Sequence, residues 1–323
     1  MNTLRPSREQ TISAAHVIAK HLQPTSLKLE TTLRDYIGAE IYVKYEFQNP
    51  VRSFKIRGAL NLVHELVSSG NVSRVITAST GNHGAGMAYA CQQFKMPLTV
   101  GVPVGSNYCK VNLIRQFDAK LEFIGRDLDE TKELLLKRPL TPGDIFIEDG
   151  SSPQIVAGTS TIGCEIVQAL PDLEMIFVPV GNGALIGGIG TVLKEFNPAI
   201  KVIGVQSDQA SCMALSFKAK RPVNTTSCNT FASGIAVRVA IPEAVNLMLE
   251  VVDDFLLVTE TALKQAMGLF YRLTGHLLEG AGAAALAGAL QVRHIIQNKN
   301  VCIIASGANV DEALKKEIME KFV

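Results

Sequence analysis

No two of the six cysteines stand at metal-binding spacing. Cys91, Cys109, Cys164, Cys212, Cys228 and Cys302 form neither a CxxC nor a CxxxxC pair. That absence excludes a zinc ribbon and a compact disulfide framework, and it predicts buried free thiols in a reducing cytosol. A block of like charge is missing too. The 31 basic and 30 acidic residues leave a net charge of +1, which argues against nucleic acid or an anionic membrane as partner. Arg5, Arg8 and Glu9 precede any apolar run, so no secretory signal is expected. Internal repeats, low-complexity tracts and long Gly/Pro/Ser linkers are absent, and 47% hydrophobic residues exclude disorder. One stretch imitates a membrane span, since residues 175–193 carry no charge. Pro179, Asn182 and five glycines within it instead predict a strand, a turn and a packed helix.

What is present is enough chain, 323 residues, for two packed units or one large α/β body. Short β-branched runs alternate with helical patterns. Strands are predicted at 41–47, 74–78, 98–103, 121–124, 144–148, 175–180, 202–206, 255–258 and 301–305. Several are continuously apolar, as strands covered on both faces should be. Ser7 with Gln10 predicts a capping box, Ser152 before Pro153 an N-cap, and 127–138 and 311–322 amphipathic surface helices. The alternation predicts an α/β fold with mainly parallel sheets. A smaller unit, residues 74–151, is expected as an insert in a larger one, residues 1–73 plus 152–323.

Four segments could carry chemistry. Ser79-Thr80-Gly81-Asn82-His83-Gly84 lies between a strand and a helix, where free backbone N–H groups suit an anion. An ordinary turn explains its glycines but not Asn82 and His83. Gly181-Asn182-Gly183-Ala184-Leu185 has the same placement and suits a phosphate. It lacks a Walker lysine, misses the dinucleotide spacing by one residue and has Gln206 in place of an acidic ribose ligand. Ser306, in Ser306-Gly307-Ala308-Asn309, follows an apolar strand and could meet a heterocycle or merely cap the last helix. Lys55 shares a helical stripe with Gly58, Ala59 and Leu62, which predicts a desolvated amine suited to carbonyl chemistry. A snorkelling lysine is the alternative. Together these are the parts that pyridoxal phosphate needs: an amine, a phosphate clamp, a partner for the ring nitrogen and a seat for the substrate carboxylate.

SFKIRGA, STGNHG, VGNGAL, EGAGAAA and SGAN occur here in the order and spacing of a known family. Across essentially its whole length the chain resembles the fold-type II pyridoxal-phosphate enzymes, in the threonine/serine dehydratase and serine racemase branch. The resemblance implies a tryptophan-synthase-β-like fold with two open, mainly parallel sheets, and a homodimer. It implies Lys55 as the Schiff-base lysine, Phe54 beneath the cofactor ring and Asn82 on the ring hydroxyl. Gly181, Asn182, Gly183, Ala184 and Leu185 would wrap the phosphate, Ser306 would meet the ring nitrogen, and Glu279 would be a carboxylate near the ring. A neutral Ser306 leaves that nitrogen largely unprotonated, which favours β-elimination. Ser79, Thr80, Gly81, Asn82 and His83 would hold the substrate, with Thr80 a second catalytic candidate.

There are departures. Gln206 and Cys212 stand where racemase-like members carry acidic metal ligands, so no metal is expected. Ser233 replaces a common acidic residue, and Asn182 and Ala184 interrupt a loop usually richer in glycine. A chain ending at Val323 is expected to lack the regulatory domain of biosynthetic threonine dehydratases. The implied activity is a cytoplasmic ammonia-lyase that removes water from L-threonine or L-serine to give a 2-oxo acid and ammonia. A 3-hydroxyaspartate dehydratase or an amino-acid racemase is the alternative. A β-replacement synthase is disfavoured by His83, and a non-catalytic binder by the intact Lys55. His16, His21, His64, His276 and His294 show no metal-ligand spacing.

Overall fold

The computed structural model describes residues 4–106, 108–150 and 152–323, and not the side chains of residues 108–110. The Cys109 thiol and the expected boundary residue Ser151 therefore lie outside the described residues. Apolar and β-branched runs form β1 (Leu27–Leu29), β2 (Glu40–Lys44), β3 (Arg74–Ala78), β4 (Leu98–Val102) and β5 (Lys120–Phe123). They continue with β6 (Asp144–Phe146), β7 (Met175–Pro179), β8 (Lys201–Ser207), β9 (Asp254–Val258) and β10 (Asn300–Ile304). One sheet runs β1-β2-β10-β7-β8-β9 and the other β5-β4-β3-β6. Every pairing is parallel except β1 with β2. All four strands of the smaller sheet lie between Arg74 and Phe146, and all six of the larger lie outside that span. Strand β1 is the one sequence reasoning missed. Three residues with an exposed Lys28 between two half-buried leucines are too short to show a period.

Strands β7 and β10 are buried along nearly their whole length because helices cover both faces of the larger sheet. The uncharged span 175–193 resolves into β7, a turn and the helix Ala184–Phe196. Among the described residues no helix is long and apolar enough to cross a membrane. The Ser7–Gln10 capping box forms, and Asp127 and Asp311 cap their helices through their side chains. Ser152 precedes Pro153 as expected, but its hydroxyl donates to Gln154 Oε1 at 2.7 Å and leaves the helix backbone uncapped. The thiols depart partly from expectation. Cys91, Cys212 and Cys302 are buried, whereas Cys164 and Cys228 are half-buried.

The helix Pro153–Ala169 packs between the helix Lys55–Ser69 and the helix Ala184–Phe196. The first contact is close enough to demand glycine. A Cβ on Gly158 would stand 2.5 Å from the Arg57 carbonyl oxygen, and one on Gly58 would stand 2.8 Å from Ile155 Cγ2. Beside this crossing lies a buried ionic cluster. Arg57 Nε and Nη2 donate to the two carboxylate oxygens of Glu46 at 2.8 and 2.9 Å. Arg57 also donates to Glu165 at 2.6 and 2.9 Å, and Lys44 pairs with Glu165. Two cations and two carboxylates thus balance, and they anchor the first turn of the helix that begins at Lys55.

Candidate active site

The C-terminal ends of β3 and β6 from one sheet and of β7 and β10 from the other open into a single cavity of about 640 Å³. Strand ends of this kind are where α/β folds place ligands. Phe54, Lys55, Ser79, Thr80, Gly81, Asn82, His83, Gly181, Asn182, Gly183, Ala184, Leu185, Glu279 and Ser306 all line it. The four segments singled out from the sequence are therefore walls of one room.

Lys55 opens its helix at the cavity, and its ammonium lies 5.2 Å from the centre of the Phe54 ring. The expected apolar surroundings are not what the amine meets. Lys55 Nζ donates to both oxygens of Asp149 at 2.7 and 2.5 Å, so the charge is paired rather than stranded on an apolar stripe. Sequence reasoning missed Asp149. The residue follows β6 in a Glu148-Asp149-Gly150 turn that reads as ordinary loop chemistry, and 94 positions separate it from Lys55. Burial pushes the Asp149 carboxyl up, but the charges of Lys55 and His83 outweigh it and hold the group below its usual range.

The turn after β7 has the features of an anion seat. Gly183 takes the left-handed conformation at φ +94°, strained for any residue with a Cβ, and starts the helix Ala184–Phe196 without a side-chain cap. The first N–H groups of that helix have no intrahelical acceptor and, with the helix dipole, suit a phosphate. Asn182 does more than interrupt a glycine loop. Its Nδ2 donates to the Asp149 carbonyl at 3.0 Å, tying the turn of the larger sheet to the loop of the smaller.

The 79–84 turn corrects part of the sequence reading. Ser79 Oγ accepts the N–H groups of Gly81 at 3.2 Å and Gly84 at 3.0 Å, so two of the presumed anion donors serve to cap the turn itself. Asn82 reaches across the cavity and donates to Glu279 Oε1 at 2.6 Å. Asn309 Nδ2 donates to Asn82 Oδ1 at 2.8 Å, a second positioning contact that sequence reasoning did not assign. Asp311 caps the last helix, which leaves Ser306 as a buried wall residue rather than a cap. His83 is buried, with Nε2 3.2 Å from Thr77 Oγ1 and Nδ1 3.4 Å from Asp149 Oδ1.

Gln206 and Cys212 stand away from the cavity walls. Gln206 Oε1 accepts the Ala214 N–H at 2.9 Å, and burial pushes the Cys212 thiol up to about 11. Ser233 lines the cavity. Among the described residues no group of three or more His, Cys, Asp or Glu side chains could hold a metal ion.

The family pattern described as pyridoxal-phosphate dependent enzyme matches residues 18–307. The chain belongs to this family. It is 33% identical over 321 residues to an L-threonine ammonia-lyase of Thermotoga maritima, covering 99% of this chain and 79% of the relative. It is 32% identical to the catabolic L-threonine dehydratase of Escherichia coli K12, covering 94% of this chain and 93% of the relative. The processed form of threonine deaminase isoform 2 from Solanum lycopersicum superposes with a TM-score of 0.89 at 31% identity, over 99% of this chain and 95% of that one. Maize serine racemase superposes with a TM-score of 0.90 at 25% identity, over 98% of each chain. The fold is accordingly fold type II of the pyridoxal-phosphate enzymes. The cavity fits the cofactor. The uncapped helix start at Ala184 suits its phosphate, the Lys55 amine its aldehyde and the buried Ser306 its ring nitrogen.

Proposed function

We propose that the protein is an ammonia-lyase that eliminates water from L-threonine or L-serine and yields a 2-oxo acid and ammonia. The observation that carries this reading is the Lys55 amine standing in a cavity walled by an uncapped helix start and by Ser306, beside the turn 79–83. The named relatives support the same class of chemistry. Pyridoxal phosphate, when bound, supplies an electron sink for the pair left at the substrate's α-carbon. Lys55 then takes the α-proton, and the turn 79–83 holds the substrate carboxylate so that the α-C–H bond faces that amine. Asn82, gripped between Glu279 and Asn309, keeps the turn and the last strand's loop in register.

A second carboxylate on the substrate is disfavoured. Among the described wall residues the lysines are Lys55, paired with Asp149, and Lys132, paired with Glu148, and no arginine is present. This weighs against 3-hydroxyaspartate. Racemisation remains the second reading, because Thr80, which carries a hydroxyl, lines the cavity. Division into a unit of residues 74–151 and a unit of 1–73 plus 152–323 belongs to the same proposal, supported by the segregation of strands between sheets. So does a homodimer, which a mass measurement in solution tests. The deciding experiment is a panel of β-hydroxy amino acids scored for 2-oxo acid. Turnover of L-threonine or L-serine is expected, and inertness toward both would overturn the reading.

A further inference from the structure

A line of contacts runs from Thr77 through His83 and Asp149 to Lys55. Thr77 Oγ1 lies 2.8 Å from the Ile147 carbonyl oxygen and must spend its single hydrogen there. His83 Nε2, 3.2 Å from the same hydroxyl oxygen, must therefore donate to it. That leaves Nδ1 facing Asp149 Oδ1 at 3.4 Å. Nδ1 is therefore the ring nitrogen through which a proton can pass between His83 and Asp149. Lys55 donates to both oxygens of the same carboxylate and completes the chain Lys55–Asp149–His83. Asp149 is the member with access to substrate, its side chain 28% exposed into the cavity against 8% for His83.

We propose that Asp149, supplied with a proton by His83, is the acid that protonates the departing β-hydroxyl. This rests on the ammonia-lyase reading above and names the group which that reading leaves unassigned. The amine of Lys55 takes the α-proton, and the electron pair left behind becomes the Cα=Cβ bond. The Cβ–O bond breaks with its pair going to oxygen, and the proton from Asp149 completes a molecule of water. Lys55 returns the proton it took to Asp149, within hydrogen-bond reach, so the circuit closes without a co-reactant. The groups facing His83 fit a labile proton. Burial presses the imidazolium below its ordinary range, Asp149 and Glu148 pull the other way, and the Lys55 charge adds to the lowering.

Leaving-group chemistry tests this. Chloride leaves β-chloro-L-alanine without needing a proton, whereas the hydroxyl of L-threonine needs one. In Asp149→Asn, and in His83→Gln as a second arm, the ratio of threonine to chloroalanine turnover should fall by about 10²-fold or more. A merely structural role would lower both rates together and keep the ratio. Imidazole ¹⁵N titration of the cofactor-free chain gives an independent reading. Asp149→Asn should weaken proton binding at His83 by about tenfold or more. An unchanged ratio or an unchanged His83 titration overturns this proposal alone. A wild-type protein inert toward L-threonine and L-serine removes it together with the ammonia-lyase reading.

Discussion

Thr80 keeps a hydroxyl on a cavity wall but carries it on a β-branched carbon. Racemisation needs a second acid on the face opposite Lys55, and the branch restricts χ1 and adds a methyl group where that acid must move. Elimination needs no such donor. We expect elimination from the L-substrate to outpace racemisation by at least about tenfold, since a misplaced general acid loses most of its 10²–10⁴-fold effect. Thr80→Ser should raise racemisation relative to elimination. Chiral analysis of unreacted serine beside keto-acid yield checks both, and comparable rates in the unmodified protein would contradict the argument. Lys55 carries a second expectation. Purified protein should be yellow, borohydride should fix the cofactor on the peptide containing Lys55, and Lys55→Ala should abolish both band and label. Labelling at another lysine would sink the assignment. At this scale Lys55, Asn82, Gly183 and Ser306 were legible because each sits in a short run whose residue types make chemical sense together. Asp149, Asn309 and the Arg57–Glu165 pair were not, because their meaning lies in partners about a hundred positions or more away.

Strand β8 and the helix Cys212–Ala219 are joined by Gln206, whose amide oxygen accepts the Ala214 N–H. The resemblance to racemase-like enzymes implies acidic metal ligands at the positions of Gln206 and Cys212. A hard cation needs anionic oxygens, and these two positions carry instead an amide whose oxygen is engaged with backbone and a thiol that burial pushes up to about 11. Activity should therefore change less than about twofold with chelator or added magnesium, given how much a lost cation site would cost. Strong loss on chelation, restored by magnesium or calcium, would show that other residues build a site. Elements themselves were easy to read where period or capping spoke. Strands β7 and β10 announced themselves as apolar runs, and Ser7, Asp127 and Asp311 marked helix starts. Strand β1 and the side-chain role of Ser152 were hidden, the first by length and the second because a hydroxyl has several local partners to choose from.

Across the whole molecule the helix that begins at Lys55 is anchored by a buried charge cluster that no local pattern reveals. Glu46 is fully buried, and burial alone would push its carboxyl up, yet the charges and hydrogen bonds of Arg57 and Lys44 hold it below the ordinary 4.5. A group whose folded pKa is depressed contributes stability in full above its unfolded value and loses it as pH falls. The wild-type chain should thus keep this contribution from pH 8 down to about 5 and lose it progressively below about 4.5. Arg57→Met removes the cation and leaves two carboxylates with Lys44, whose ammonium is 3.7 Å from Glu46 and already committed to Glu165. Stability at pH 7 should fall by about 3–5 kcal/mol, the cost of stranding a buried charge. The sign of the pH dependence should also reverse. With desolvation no longer outweighed, the Glu46 pKa rises above its unfolded value, so its contribution is present at low pH and lost as pH rises through the folded pKa. Urea midpoints of the two proteins between pH 5 and 8 check this. The wild-type curve should be flat where Arg57→Met gains stability toward pH 5, and parallel curves would mean that Arg57 holds the Lys55 helix by packing alone.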